Sequence, residues 1–146
     1  MKLQKQLFRH APDKGVFGDC YRTAVACILD LEADQVPHVH RSITGLEQGE
    51  LIDGFLAGLG VTRLSIPFSI EGVQAALDNA SHWSKGLPYL FSGTSRNGTG
   101  HVVVAHGNRI ICDPSLDDSG IVGPMDDGFY WVDWLVLSAE TRGAAS

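Results

Sequence analysis

Basic residues are scarce in this sequence, and they never cluster. The 146 residues include 11 lysines and arginines against 17 aspartates and glutamates, which gives a formal net charge of -6. A nucleic-acid-binding surface needs basic side chains gathered on one face, because they must neutralise several phosphates together. The scattered positive charges therefore argue against a nucleic-acid partner.

Long apolar runs and paired cysteines are also missing. No segment approaches the roughly 20 consecutive apolar residues of a membrane helix. The first ten residues, MKLQKQLFRH, carry positive charge but no apolar core of a secretory signal. The three cysteines, Cys20, Cys27 and Cys112, are an odd number, which suits a reducing compartment better than a disulfide framework. We expect a cytoplasmic protein without a membrane partner.

Length and hydrophobic periodicity predict a single α+β domain over residues 1–146. This length is enough for one core, and the 44% hydrophobic content is ordinary for a globular chain. The pattern predicts three helices, at about residues 20–31, 46–59 and 70–79. It also predicts strands at 3–8, 61–66, 88–92 and 129–137, and a hairpin after residue 101. Helices come early and strands late, which is typical of an α+β fold.

Cys20 stands where a loop meets the first predicted helix. Apolar and small residues at 20, 24, 27, 28 and 31 form one helical stripe, and Asp19 is a favourable N-cap type. A thiol at a helix N-terminus lies at the positive end of the helix dipole. That position stabilises the nucleophilic thiolate and offers amide groups to an oxyanion. Taken alone, the same feature also fits a small buried thiol.

His101 and Asp113 stand at the two ends of the predicted hairpin. His101 follows a Gly-rich segment, 93–100, and begins an apolar run, while Asp113 closes the partner run. A three-residue loop at 106–108 would place Asp113 opposite His101 on the same sheet face. A two-residue loop would instead pair His101 with Pro114 and turn Asp113 to the other face. We predict the three-residue loop, because its last two residues tolerate left-handed conformations.

Two blocks, GDCYRTAVACILDLEADQVP and HVVVAHGNRIICDP, resemble the papain-like cysteine peptidases of bacteria and their phages, in particular the C39-like branch. In that group a Cys begins a helix of small residues. A later His begins an apolar strand that is followed by a turn, another strand and Asp-Pro. The resemblance covers roughly residues 16–37 and 101–114. It implies a papain-like fold, with the nucleophile helix packed on a small antiparallel sheet. It also implies Cys20 as nucleophile, His101 as base and Asp113 as the residue that orients the imidazole.

The predicted function is therefore a cysteine hydrolase that cleaves a peptide or amide bond through a thioester acyl-enzyme. Transfer of the acyl group to an amine is an open alternative to hydrolysis. The C39-like pattern usually has a Gln a few residues before the Cys as an oxyanion donor. Here the nearest is Gln6, fourteen residues upstream, so Gln6, Asp19 and backbone amides are the candidates. An alternative from another class is an inactive papain-like module, for example of phage origin, that binds or inhibits a host protein.

Other polar residues give weaker signals. Arg96, in the Gly-rich segment, is a candidate ligand for a substrate carboxylate or phosphate, and an exposed loop arginine fits equally well. His38 and His40 have no Cys or carboxylate partner at a metal-site spacing, so we expect no metal and no cofactor. Trp131 and Trp134 are three residues apart and cannot share a regular strand face. One of them is therefore expected to line a cleft, unless a bulge intervenes.

Overall fold

The computed structural model describes residues 1–7, 19–38 and 45–138, in which helices precede most of the strands. The helices are α1 (Cys20–Leu29), α2 (Gly45–Gly58) and α3 (Val73–Ser84), and a short 3-10 helix covers Ala33–Gln35. The strands are β1 (Val61–Phe68), β2 (Tyr89–Thr94), β3 (Gly100–His106), β4 (Arg109–Cys112) and β5 (Tyr130–Leu137). The predicted α+β class is confirmed. None of the described helices is long and apolar enough to cross a membrane.

The five strands form one antiparallel sheet in the order β1-β5-β2-β3-β4. The last strand in sequence, β5, therefore lies between β1 and β2 and pairs with both. Side chains alternate between the two sheet faces, so each strand contributes to two cores. One core joins α1 and α2 to the face that carries Leu90, Val102 and Val104. The other joins α3 to the opposite face, which carries Phe91 and Val103.

Element boundaries differ from the predictions mainly at the ends. The third helix begins at Val73 after Gly72, whereas the sequence predicts a start near residue 70. A strand is predicted at residues 3–8, but residues 3–7 are not in a strand. Phe8 lies outside the described residues. The amide of Lys2 donates to the Cys27 carbonyl instead of to a neighbouring strand. This N-terminal segment is thus fixed by single bonds to other elements.

The hairpin between β3 and β4 contains a β-bulge. His106 pairs with Arg109, so the turn has two residues and the predicted three-residue loop is wrong. Its first residue, Gly107, has φ 61°, as a two-residue turn with glycine in first place requires. Ala105 then pairs with residue 110, but Val104 pairs with residue 112, so residue 111 is the extra residue of the bulge. A two-residue turn without a bulge would place Asp113 on the sheet face opposite to that of His101. The extra residue returns Asp113 to the face of His101, as the predicted three-residue loop would also have done.

Candidate active site

Cys20 is the first residue of α1, and its side chain is largely covered, with 6% of its surface exposed. Asp19 stands at the N-cap position, but its side chain makes no capping hydrogen bond. Its Oδ2 atom instead accepts hydrogen bonds from the Leu7 amide (3.1 Å) and from Nε of Arg22 (3.0 Å). The buried Asp19 carboxylate therefore connects the N-terminal segment to the start of α1.

His101 lies at the start of β3 and is buried beside both other members of the predicted triad. Its Nε2 atom lies 2.7 Å from Oδ1 of Asp113. The Cys20 thiol is also within hydrogen-bonding reach of the ring. Because Nε2 is used by Asp113, Nδ1 is the ring nitrogen left for the thiol. Burial disfavours the imidazolium, but the bonds with Asp113 and Cys20 outweigh it and raise the pKa of His101 to about 9.

Asp113 follows β4 and is fixed by three hydrogen-bond partners. Besides His101, the Ser115 amide donates to its Oδ1 (3.0 Å) and the Gly120 amide donates to its Oδ2 (2.7 Å). Burial opposes ionisation, but these bonds prevail and hold the pKa of Asp113 well below its ordinary range. The carboxylate is thus an anchored anion that faces His101. The bulge explains how it reaches this face, since Cys112 shares a face with Val104 and the next residue points the other way.

Gln6 lies near this group of residues. Its backbone amide donates to the Pro114 carbonyl (2.7 Å), next to Asp113. The backbone amide of the following residue, Leu7, donates to the Asp19 carboxylate. Gln6 is buried and sits between the chain that carries Asp113 and the chain that carries Cys20. Gln6 is therefore near the predicted site although it is fourteen residues from Cys20 in sequence, and its role as an oxyanion donor stays a prediction. The Asp19 side chain does not suit that role, because its Oδ2 accepts hydrogen bonds and a carboxylate has no proton to donate.

Arg96 lies in the turn between β2 and β3. Its guanidinium donates to the Asp117 carbonyl (2.9 Å) and its amide donates to the Ser119 carbonyl (3.2 Å). These bonds connect the turn to the loop that positions Asp113. The predicted contact with a substrate stays a prediction, and the described contacts of Arg96 are with this loop. Sequence reasoning missed this because the loop partner lies about twenty residues downstream.

A cavity of about 410 Å³ opens beside His101. We call it the His101 cavity; its lining includes Tyr21, Ser65, His101, Met125, Trp131 and Asp133. The hydroxyl groups of Tyr21 and Ser65 each donate to the buried Asp133 carboxylate, both at 2.6 Å. As expected, Trp131 and Trp134 lie on opposite faces, and Trp131 lines this cavity while Trp134 faces α3. The sequence signal for Asp133 is a single acid within the apolar run YWVDWLVL.

The other two cysteines are buried and form no disulfide. Their thiols hydrogen-bond each other, and this contact together with burial raises the pKa of Cys27. The Cys112 thiol donates to the Gln4 carbonyl at 3.6 Å. In the part of the chain that the structure describes, no three His, Cys, Asp or Glu side chains are placed to hold a metal ion. His40, one half of the H-x-H pair, lies outside the described residues.

Comparisons with protein-family models, with curated proteins and with solved structures found no match for this chain.

Proposed function

We propose that this protein is a cysteine hydrolase of papain-like architecture that cleaves a peptide or amide bond with Cys20, His101 and Asp113. The observation that carries the proposal is the position of His101, which is in reach of the Cys20 thiol on one side and 2.7 Å from Asp113 on the other. Nucleophilic catalysis by cysteine needs this order of thiol, base and orienting group. The N-terminal position of Cys20 on α1 adds the helix dipole.

In the proposed reaction, Cys20 and His101 begin as a thiolate and an imidazolium. The sulfur attacks the carbonyl carbon, and His101 gives its proton to the leaving amine as the C–N bond breaks. A thioester on Cys20 results. His101 then takes a proton from water, whose oxygen attacks the thioester; the C–S bond breaks, the carboxylic acid leaves, and the Cys20 thiolate and His101 imidazolium are regenerated. Asp113 holds the imidazole throughout, while the Cys20 backbone amide and the Gln6 side chain are the proposed donors to the oxyanion.

A reducing compartment suits this chemistry, because a nucleophilic thiol must stay free. None of the three cysteines is in a disulfide, which agrees with the cytoplasm as the proposed location.

The decisive experiment is the rate of iodoacetamide alkylation of Cys20 as a function of pH, with the modified residue assigned by mass spectrometry. A thiolate held by imidazolium and a helix N-terminus reacts well below the ordinary thiol pKa of about 8.5. We expect His101→Ala to return the reaction to an ordinary thiol profile. His106→Ala is the matched control, because His106 contacts the Gly86 carbonyl at the far end of β3.

An ordinary thiol profile in the wild type would contradict the hydrolase and favour a binding module on the same scaffold. If the low-pH reactivity is present, a panel of peptide amides tested with wild type and Cys20→Ala then identifies the scissile bond. Release of amine by the wild type and none by Cys20→Ala is the expected result.

A further inference from the structure

The side chains around the His101 cavity carry more negative than positive charge. Arg63 lines the cavity, but Nε and Nη2 of its guanidinium both face Asp53, at 2.9 Å and 3.4 Å. Its Nη1 atom donates to the Tyr21 oxygen (3.2 Å) and lies 3.6 Å from Asp133, beyond a good hydrogen bond. Two carboxylates thus share one guanidinium. Arg63 is mainly neutralised by Asp53, which leaves the charge of Asp133 directed at the cavity.

Asp133 is also held in place as an acceptor. Tyr21 bonds to one carboxylate oxygen and Ser65 to the other. Each carboxylate oxygen has two lone-pair positions, so both can accept a further donor. Burial, together with Asp133, raises the pKa of Tyr21 well above its ordinary range, so the phenol stays protonated and keeps donating. The carboxylate is therefore fixed before any ligand arrives.

The catalytic end of the cavity does not offset this negative charge. The His101 imidazolium faces the Asp113 carboxylate and, in the proposed reaction, the Cys20 thiolate. One positive group is again shared by two negative ones. A cation in the cavity is attracted by both ends, and an anion is repelled by both.

We propose that the His101 cavity is the specificity pocket of the proposed hydrolase and that it takes the ammonium or guanidinium group of a basic peptide, with Asp133 as its acceptor. Tyr21 directly follows Cys20, and its hydroxyl meets Asp133, so this carboxylate lies about one long side chain away from the helix start that carries the thiol. Lysine and arginine side chains have a similar length. Trp131 is held by its bond to Asp127 (2.8 Å), and with Met125 it gives an apolar wall for the methylene stem.

This proposal rests on the proposed function for its substrate assay. The first arm compares kcat/KM for matched peptide amides with lysine, arginine, norleucine or glutamate beside the scissile carbonyl. We expect lysine and arginine to exceed norleucine by about tenfold or more, and glutamate to be the poorest. Peptides with free and acetylated N-termini show whether the bound cation is instead the α-amine.

Asp133→Asn should remove most of the preference for basic peptides. Asp53→Asn should reduce that preference, because the Arg63 guanidinium, freed from Asp53, can then turn toward Asp133. The Asp53 side chain is exposed, so that variant tests the proposal even if Asp133→Asn does not fold. Asp78→Asn is the matched control. It removes the same charge on α3, where Asp78 bonds only Gln74 and Asn108 among the contacts described.

The second arm does not need turnover. Aminoethyl, hydroxyethyl and sulfonatoethyl methanethiosulfonates carry positive, neutral and negative groups. The Cys20 thiolate attacks their sulfenyl sulfur, forms a mixed disulfide and expels methanesulfinate. We expect Asp133→Asn to lower the ratio of the cationic to the anionic rate by at least about threefold relative to Asp78→Asn.

The two arms separate the two ideas. Absence of turnover with a charge ratio that depends on Asp133 would reject the hydrolase and keep the cation pocket. Turnover with equal rates on lysine and norleucine peptides, unchanged in Asp133→Asn and Asp53→Asn, would keep the hydrolase and reject the cation pocket.

Discussion

The Nε2 atom of His101 lies 2.7 Å from Oδ1 of Asp113, although the two residues are not directly opposite each other in the hairpin that joins them. Because Val104 pairs with Cys112, the next position away from the turn places Asp113 opposite Val103. Val103 and His101 are two residues apart on one strand, so Asp113 shares the face of His101. Diagonal neighbours of this kind can touch when their side chains are long or polar. The amides of the loop after Asp113 then hold its carboxylate toward the ring.

Replacement of Asp113 by asparagine should remove the anion that orients His101. We expect turnover to fall by about 10- to 10⁴-fold, because an amide can stabilise the wrong imidazole tautomer. Asp118→Asn is the control, since Asp118 is exposed in the same loop and pairs with Lys5. Steady-state kinetics, with circular dichroism as the folding check, measure the effect. Full activity in Asp113→Asn would show that another group orients His101.

Cys20 should be the first cysteine to be alkylated in the native protein. Its exposure is close to that of Cys112, so its advantage must come from the His101 ring and the helix N-terminus beside it. Cys112 is the competing thiol, because its hydrogen bond with Cys27 lowers its pKa to about 6, whereas Cys27 is fully buried and its pKa is raised. Peptide mapping after a short iodoacetamide pulse checks this, and labelling in urea supplies the reference for all three thiols. Modification of Cys27 or Cys112 before Cys20 would contradict the assignment of the nucleophile.

The His101–Asp113 pair should make stability depend on pH in two directions. The pKa of His101 is raised to about 9, so its contribution is complete below the unfolded value of about 6.5 and is lost as the pH rises through about 9. The pKa of Asp113 is lowered, so its contribution is complete above about pH 4 and is lost as the pH falls further. The pair therefore stabilises the fold most between about pH 4 and pH 6.5.

Urea unfolding of the wild type and Asp113→Asn from pH 3 to pH 10 measures this contribution. We expect the difference in the free energy of unfolding to reach a few kcal/mol, by order of magnitude, in that window. It should shrink on both sides. A difference that does not change with pH would mean that Asp113 stabilises the loop through its amide bonds alone.

Gly93 should not tolerate a side chain. It pairs with His101 across β2 and β3, and a Cβ atom there would lie 2.5 Å from the Gly123 carbonyl oxygen and 2.6 Å from Cγ2 of Ile121. Both contacts belong to the loop after Asp113. Gly93→Ala should therefore cost about 1–3 kcal/mol and also lower activity, because the loop must move.

Gly54→Ala, in the middle of α2, is the matched control for this change. No atom lies within 4 Å of its added Cβ, and alanine favours a helix by about 0.5–1 kcal/mol over glycine. Thermal unfolding should therefore show opposite shifts for the two variants. Equal shifts would contradict the close approach at Gly93.

Local patterns in the sequence were enough to predict α1, the two strands of the hairpin and the late strand β5. The apolar stripe after Cys20 has helical spacing, and the β-branched runs on either side of Gly107 have few alternatives to a hairpin. The same patterns brought Cys20, His101 and Asp113 forward as candidates. The turn length was wrong, because Gly107 and the residue after it fit both a two-residue and a three-residue loop.

The His101 cavity could not be predicted because its parts come from distant segments. Tyr21, Ser65 and Asp133 lie on α1, β1 and β5, and only the insertion of β5 beside β1 brings them together. Ser65 and Asp133 are register partners, which requires knowledge of the strand order. In sequence Ser65 and Asp133 are isolated polar side chains within apolar stretches, and Tyr21 stands between Cys20 and Arg22 without a signal of its own. Tertiary pairing, not local propensity, creates this part of the site.

The bulge at Ile111 has a consequence for the recognition of related chains. Because Val104 already pairs with Cys112, removal of the bulged residue would leave every other pair of this hairpin in register. His101 and Asp113 would still share a face, with ten residues between them in place of the eleven in this sequence. A related chain with this deletion would keep the same placement of the histidine and the aspartate while their spacing in sequence changes by one residue. A search that fixes this spacing would pass over it, whereas one that allows a single gap within β4 would align the histidine and the aspartate correctly.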